Sequence, residues 1–255
     1  MRVLALDTTT RGGSLALVED DRVLVERDGD AARPHAERLP ADLMSLLDAA
    51  AAPMSSVDVY AVAAGPGSFT GLRIGMATMQ GLAFVNRRPM VAVSALEALA
   101  QIAALGLEAG AIVGAWMDAH RRDVFSALYR VTDAAPYEPE RLDELDPATV
   151  LDPAATLSRW KTLGTLAAVA GEGAVAYQQL LAPPTRLVHP PALAGAIGRM
   201  AIARARHGLS QDPASVHALY VRRPDAEVER ERKIRNQRDG AIEDSVIVQR
   251  PSSEG

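Results

Sequence analysis

Three short apolar runs fill the first 27 residues: RVLALD (2–7), SLALVE (14–19) and RVLVER (22–27). TTTRGG and DD separate them, and both are turn chemistry, so the chain opens as three successive β-strands. HAERLPADLMSLLDAA then changes the period. Leu39, Leu43, Leu46, Leu47 and Ala50 recur at helical spacing as one apolar stripe. A strand (VDVYAVAA), a glycine-rich loop, a helix to about Val85 and a buried strand (PMVAV) follow. SALEALAQIAAL reads as a helix, with Ser94 and Glu97 as a capping box and Gly106 as its stop. The order is βββαβαβα.

The second half repeats this order more loosely. AIVGAWMD and DVFSALYR read as strands, and the Pro- and acid-rich stretch 136–150 holds at most a weak third. DPAATLSRW predicts a short helix with Asp152 as N-cap and Pro153 in its first turn. GTLAAVAG is a strand, GAVAYQQLL a helix, TRLVH a strand, and PPALAGAIGRMAIARARHG a helix that starts on proline and stops at His207 and Gly208. A βββαβαβα unit used twice describes the duplicated actin-like ATPase fold of the sugar-kinase and Hsp70 type, α/β in class, with the second lobe reduced. The same string also describes one ordinary mixed α/β domain. The expected parts are an N-terminal lobe over 1–107, a reduced C-terminal lobe over 108–227, and a charged, disordered tail over 228–255.

Composition excludes several function classes. The net charge of −5 favours neither nucleic acid nor anionic membrane. The absence of cysteine removes disulfides and thiolate metal sites. No apolar run approaches the ~20 residues of a membrane span, and MRVLALDTTT is a strand rather than a signal peptide. A cytoplasmic location is the expectation.

The glycine-rich segment AAGPGSFTGLRIG (63–75) fits none of the familiar motifs. Gly65 to Gly71 is one residue too long for a P-loop, and no lysine follows. Thr70 stands where a dinucleotide loop needs its third glycine, and also where a nucleophile elbow around Ser68 needs one. What remains is geometric. Gly71 and Gly75 lie four apart on a helix, as do Ala77 and Gly81. Each glycine costs about 1 kcal/mol of helix propensity against alanine, so the helix needs close contact to stabilise it. That contact is either another protein, met through Gly71, Met76, Met79 and Ala83, or the chain's own sheet.

An actin-like ATPase carries paired phosphate hairpins with an aspartate and, two residues on, a glycine. The first matching turn is LDTTTRGG, where Asp7 and Thr8 are followed by Thr9 in the glycine place. The second is WMDAHRRD, where Asp118 is followed by His120. The adenosine loop would be Gly171 and Gly173, split by Glu172, whose charge repels phosphate. Asp7, Thr8, Thr9, Asp118, Gly171 and Gly173 thus mark a degenerate nucleotide cleft with no cofactor of its own. Among the five histidines none shares the i,i+4 spacing of a helical metal pair.

LALDTTT, PHAERL, AAGPGSFTGLRIGMATMQGLA, VSALEALA, MDAHRRDVFSALY and YVRRPDAE together resemble the TsaB (YeaZ) family, over about residues 1–227. The resemblance implies a non-catalytic dimerisation subunit of the complex that makes threonylcarbamoyladenosine at position 37 of tRNAs reading codons beginning with A. It implies pairing with the related subunit TsaD, which carries a His-x-x-x-His metal site and a working nucleotide cleft, and association with the ATPase TsaE. ATP and metal would then belong to the partners, and tRNA would be met only through the complex. His35 and Leu39 stand where the TsaD-type metal pair would be. The two N-lobe helices would form the partner face through Leu39, Leu43, Leu46, Leu47, Gly71, Leu72, Gly75, Met76, Met79 and Ala83, a patch that also supports a homodimer when the chain is alone. Two rivals are a weak ATPase or kinase working through Asp7 and Asp118, and a metallopeptidase, which the missing histidine pair disfavours.

Overall fold

Strand β1 (Arg2–Asp7) is buried on both faces, and its alternation sorts side chains by size. Val3 and Ala5 point to one side of the sheet, Leu4 and Leu6 to the other. The same sorting runs through β2 (Ser14–Glu19) and β4 (Val59–Gly65). Ala16, Val18, Val59, Ala61 and Ala63 join the first face, and Leu15, Leu17, Tyr60 and Val62 the second. With β3 (Arg22–Asp28) and β5 (Met90–Ser94) they form a sheet of order β3-β2-β1-β4-β5. β1, β2 and β3 pair antiparallel, and β1, β4 and β5 pair parallel.

The computed structural model describes residues 1–190 and 192–222. A second sheet repeats the plan as β10-β9-β6-β7-β8. Its strands are β6 (Ile112–Asp118), β7 (Val124–Val131), β8 (Leu142–Leu151), β9 (Leu166–Ala170) and β10 (Arg186–Val188). The helices are α1 (His35–Ala49), α2 (Phe69–Asn86), α3 (Ala95–Ala103), α4 (Pro153–Trp160), α5 (Glu172–Ala176) and α6 (Ala194–Arg206). The element order is βββαβαβα twice. No described helix is long and apolar enough to cross a membrane. The expected tail over 228–255 lies outside the described residues.

The large side chains of the first sheet pack under α1 and α2, where Leu39, Leu43, Leu46 and Leu47 meet Met76, Met79 and Ala83. The small side chains face a central core built with α3, α6 and the inner face of the second sheet. Small residues on both sides let helix and sheet approach closely: a Cβ added to Gly198 of α6 would stand 2.5 Å from Val18 Cγ2. The helices are exchanged between the halves. α6 ends the second repeat yet packs mainly on β1, β2 and β4, whereas α3 ends the first and packs mainly on β6 and β9.

Four local expectations change. The weak third strand is a full ten-residue β8, paired along β7. The helix expected over 173–181 is the five-residue α5 followed by a 3-10 turn, Gln178–Leu180, because the backbone breaks at Tyr177. The last helix starts at Ala194, not at the prolines. Its first N–H groups are capped from across the chain: Ser14 Oγ accepts from Leu193 N and Ala194 N, both at 3.0 Å, and Glu26 Oε1 accepts from Gly195 N at 2.6 Å. The capping box is half made. Ser94 Oγ accepts from Glu97 N, but the Glu97 carboxylate turns to Arg204 of α6, at 2.6 and 2.7 Å.

Candidate functional site

At the end of β1 the Asp7 carboxylate folds back on its own turn. Oδ1 accepts from Thr9 N at 2.8 Å and from Thr9 Oγ1 at 2.6 Å. Burial pushes this carboxyl up from the usual aspartate value, against the opposing pull of those two Thr9 bonds. The glycine segment closes over the turn. Ser68 N donates to Thr9 O at 2.8 Å, and a Cβ on Gly67 would lie 2.6 Å from Thr9 Cβ. Further along α2, a Cβ on Gly71 would collide with Thr8 O, and one on Gly75 with Thr8 Oγ1. Thr8 is fully buried there, and its hydroxyl has no hydrogen-bond partner. Gly65, at φ +116°, lets the backbone pass under Leu219, whose carbonyl would be 2.6 Å from a Cβ. The segment therefore grips the chain's own first hairpin turn and its C-terminal strap.

The second turn is built differently. Asp118 is exposed and its Oδ1 accepts from His120 N at 2.8 Å. His120, Arg121 and Arg122 all take the left-handed conformation, unusual for side-chain-bearing residues. Gly171, at φ +119°, packs on the Trp116 carbonyl, and Gly173 packs on Met117. Both expected adenosine-loop glycines thus support the end of β6. Glu172 lies between them. Its carboxyl is pushed up, first by burial and then by the negative charges of Asp7 and Asp118. The fold therefore brings Asp7, Asp118 and Glu172 within electrostatic reach of one another, while Thr8 and Thr9 are turned away under α2.

His35 is engaged at both ring nitrogens. Nε2 is 2.9 Å from Thr10 O and Nδ1 is 2.9 Å from Arg38 Nη2. Arg38 is itself buried, pairs with Asp42 at 2.6 Å and donates to Gly12 O. These side chains tie the start of α1 to the first hairpin turn. The position that the family resemblance aligns with a metal ligand holds a hydrogen-bonded structural histidine.

The expected partner face needs correction. Leu39, Leu43, Leu46 and Leu47 of α1 and Leu72, Met76, Met79 and Ala83 of α2 are buried in the chain's own core, and Gly71 and Gly75 are buried against Thr8. An apolar stripe at helical spacing marks the face that meets the sheet, so these ten residues are the inward side of the two helices. The outward side of α2 is Thr70, Arg73, Ala77, Gly81 and Phe84, and Phe84 is 77% exposed. On α1 the outward side includes Met44, 53% exposed. A Cβ on Gly81 would meet nothing within 4 Å, so its smallness serves no contact within the chain. The sequence signal for this face was the Ala77–Gly81 pair together with Phe84 and Val85, apolar residues outside the inward stripe.

Residues 29–149 match the family described as TsaD, tRNA N6-adenosine threonylcarbamoyltransferase. An Escherichia coli protein named tRNA threonylcarbamoyladenosine biosynthesis protein TsaB is 34% identical over 167 residues, 65% of this chain and 71% of that protein. The solved YeaZ of Pseudomonas aeruginosa superposes with a TM-score of 0.70 at 30% identity, covering 86% of this chain and 99% of that one. A more distant likeness, at TM-score 0.50 and 10% identity over 86% of this chain, is the activator of 2-hydroxyisocaproyl-CoA dehydratase from Clostridium difficile, solved with bound ADPNP; it speaks for the fold alone. The duplicated βββαβαβα plan is the actin-like ATPase fold, and with a TsaB relative at this identity and coverage, the chain belongs to the TsaB (YeaZ) family.

Proposed function

We propose that this chain is a non-catalytic subunit in the biosynthesis of threonylcarbamoyladenosine in tRNA, pairing through the outward faces of α1 and α2 with a TsaD-type subunit. In this reading the partner transfers the threonylcarbamoyl group to N6 of adenosine 37, a TsaE-type ATPase joins the pair, and the complex works in the cytoplasm. The chain supplies a lobe (1–107) bearing the two helices and a second, reduced lobe (108–227). The observation that carries the reading is the closed first hairpin turn. Asp7 is held by Thr9, and Thr8 and Thr9 are covered by Gly67, Gly71 and Gly75. The Thr9 N–H is already taken by Asp7, and the glycine segment packs over the turn. Helices α1 and α2 meanwhile present Met44, Ala77, Gly81 and Phe84 to solvent.

The test is reconstitution with the TsaD- and TsaE-type subunits of the same organism, ATP, magnesium and tRNA, omitting one subunit at a time. The expected result is loss of modification without this chain, and weak or absent ATP binding by the chain alone. Micromolar ATP affinity with turnover sinks the scaffold reading. A second reading, a weak ATPase, draws on the Asp7, Asp118 and Glu172 carboxylates. Turnover by the isolated chain that is lost in Asp118→Asn decides for it.

A further inference from the structure

Beside the outward stripe of α2 lies a groove of about 300 Å³, between α2 and the extended strap that follows α6. Met76 and Val216 are buried at it, and Arg73, His217 and Tyr220 line it from exposed positions. The strap is pinned on both sides. Gln80 Nε2 donates to the carbonyls of Pro213 and Val216, both at 2.9 Å, and Leu219 N donates to Ala64 O at 2.7 Å. The groove is therefore a feature of the folded chain rather than a gap beside a loose end.

Its chemistry is one-sided. None of its lining residues is acidic. Arg73 holds its guanidinium carbon 3.9 Å from the centroid of the Phe69 ring, and that ring lies 5.2 Å from the Tyr220 ring. Stacking on one face orders the guanidinium and leaves its N–H edge for a planar, doubly accepting group. Among the described residues Arg73 forms no ion pair. A partner lying on α2 would remove this cation from water, which is costly unless an opposite charge comes with it. A second copy docked groove to groove would instead bring like charges together.

We propose that this groove seats a carboxylate side chain of the TsaD-type partner. The Arg73 guanidinium edge takes the carboxylate in a two-bond pair, and His217 and Tyr220 flank it. The inference rests on the pairing reading above and adds the residue that reads the partner's charge. Bidentate arginine–carboxylate pairs are the stronger, geometrically selective class of ion pair.

The experiment measures calorimetric affinity of the full chain for its TsaD-type partner at low and high salt, with folding checked by circular dichroism. Arg73→Glu is expected to weaken pairing at least tenfold, about 1.4 kcal/mol, and to flatten its salt dependence. Arg73→Lys should recover only part, because the charge returns without the fork. Arg130→Glu, an exposed residue on β7, makes the same charge change away from the groove and should leave affinity unchanged. A folded Arg73→Glu chain that pairs like the parent overturns the inference while pairing itself stands. If the parent chain does not pair at all, the reading beneath falls and this inference with it. Equal losses in Arg73→Glu and Arg130→Glu would mean that overall charge, not the groove, sets affinity, and also overturn it.

Discussion

The two halves of the molecule share one topology and differ in how the turn after their first strand is filled. In the first half α2 runs 18 residues and lays Gly71 and Gly75 over Thr8, so the turn is packed shut. In the second, the equivalent α5 has only five residues. The turn after β6 stays at the surface with three consecutive left-handed residues and an exposed Asp118. The two turns, with Thr9 and His120 each two residues after an aspartate, are thus built in two ways. Under the long helix the turn is core, with Thr8 buried against Gly71 and Gly75. Where the helix is short, three left-handed residues carry the backbone strain and Asp118 lies exposed. The closed half also presents the outward helices, which is why the proposed partner face lies there.

The sharpest way to break this comparison is Gly75→Leu. The new side chain would grow into the buried Thr8 side chain, and overpacking of that kind costs about 1–3 kcal/mol, with the upper end expected against a backbone-held turn. Thermal unfolding should show a fall of several degrees, and Thr8→Ala in the same chain should return part of it. A Gly75→Leu chain that melts like the parent would mean the first turn is not packed shut.

Next in size is Ser14→Ala. It leaves Leu193 N and Ala194 N without their acceptor, and loss of a helix cap costs about 0.5–2 kcal/mol. Urea unfolding should show a lower midpoint at unchanged slope. No change would show that the exchange of α6 onto the first sheet does not depend on its cap.

Gly81→Leu separates the two faces of α2. Gly81 is exposed with open space around it, and leucine is the better helix former by up to about 1 kcal/mol. The isolated chain should become slightly more stable while pairing with the TsaD-type subunit weakens. Unchanged pairing would move the partner face elsewhere.

The smallest effect is electrostatic and belongs to the open turn. The folded-state pKa of Glu172 is raised above the ordinary 4.5. The folded chain then holds this proton more tightly than the unfolded chain does, so its contribution is full below 4.5 and is lost as pH rises through the raised value. Glu172→Gln should therefore raise Tm slightly at pH 7, with the gain shrinking as pH falls through the raised value and gone below 4.5. A Tm lower than the parent's at pH 7 would show that the carboxylate is held by a favourable partner instead.

Much of this was legible in one dimension. The strands read over 2–7, 14–19 and 22–27, the repeated order, and the caps at Ser94 and Asp152 follow from alternation, helical spacing and turn residues, all properties of near neighbours along the chain. So do the two degenerate hairpins, because a missing glycine is visible as a residue. The direction in which small residues face is a different matter. Gly71, Gly75 and Gly81 are alike by helical spacing, yet two are spent on Thr8, more than 60 positions away, and one opens to solvent. Likewise α6 takes its start from Ser14 and Glu26, roughly 170–180 residues upstream, and Glu97 leaves its own helix for Arg204. Local periodicity determined which elements form and which side of each is apolar. Only the closure of long loops, which brings distant segments into hydrogen-bonding and van der Waals range, decided what each face meets.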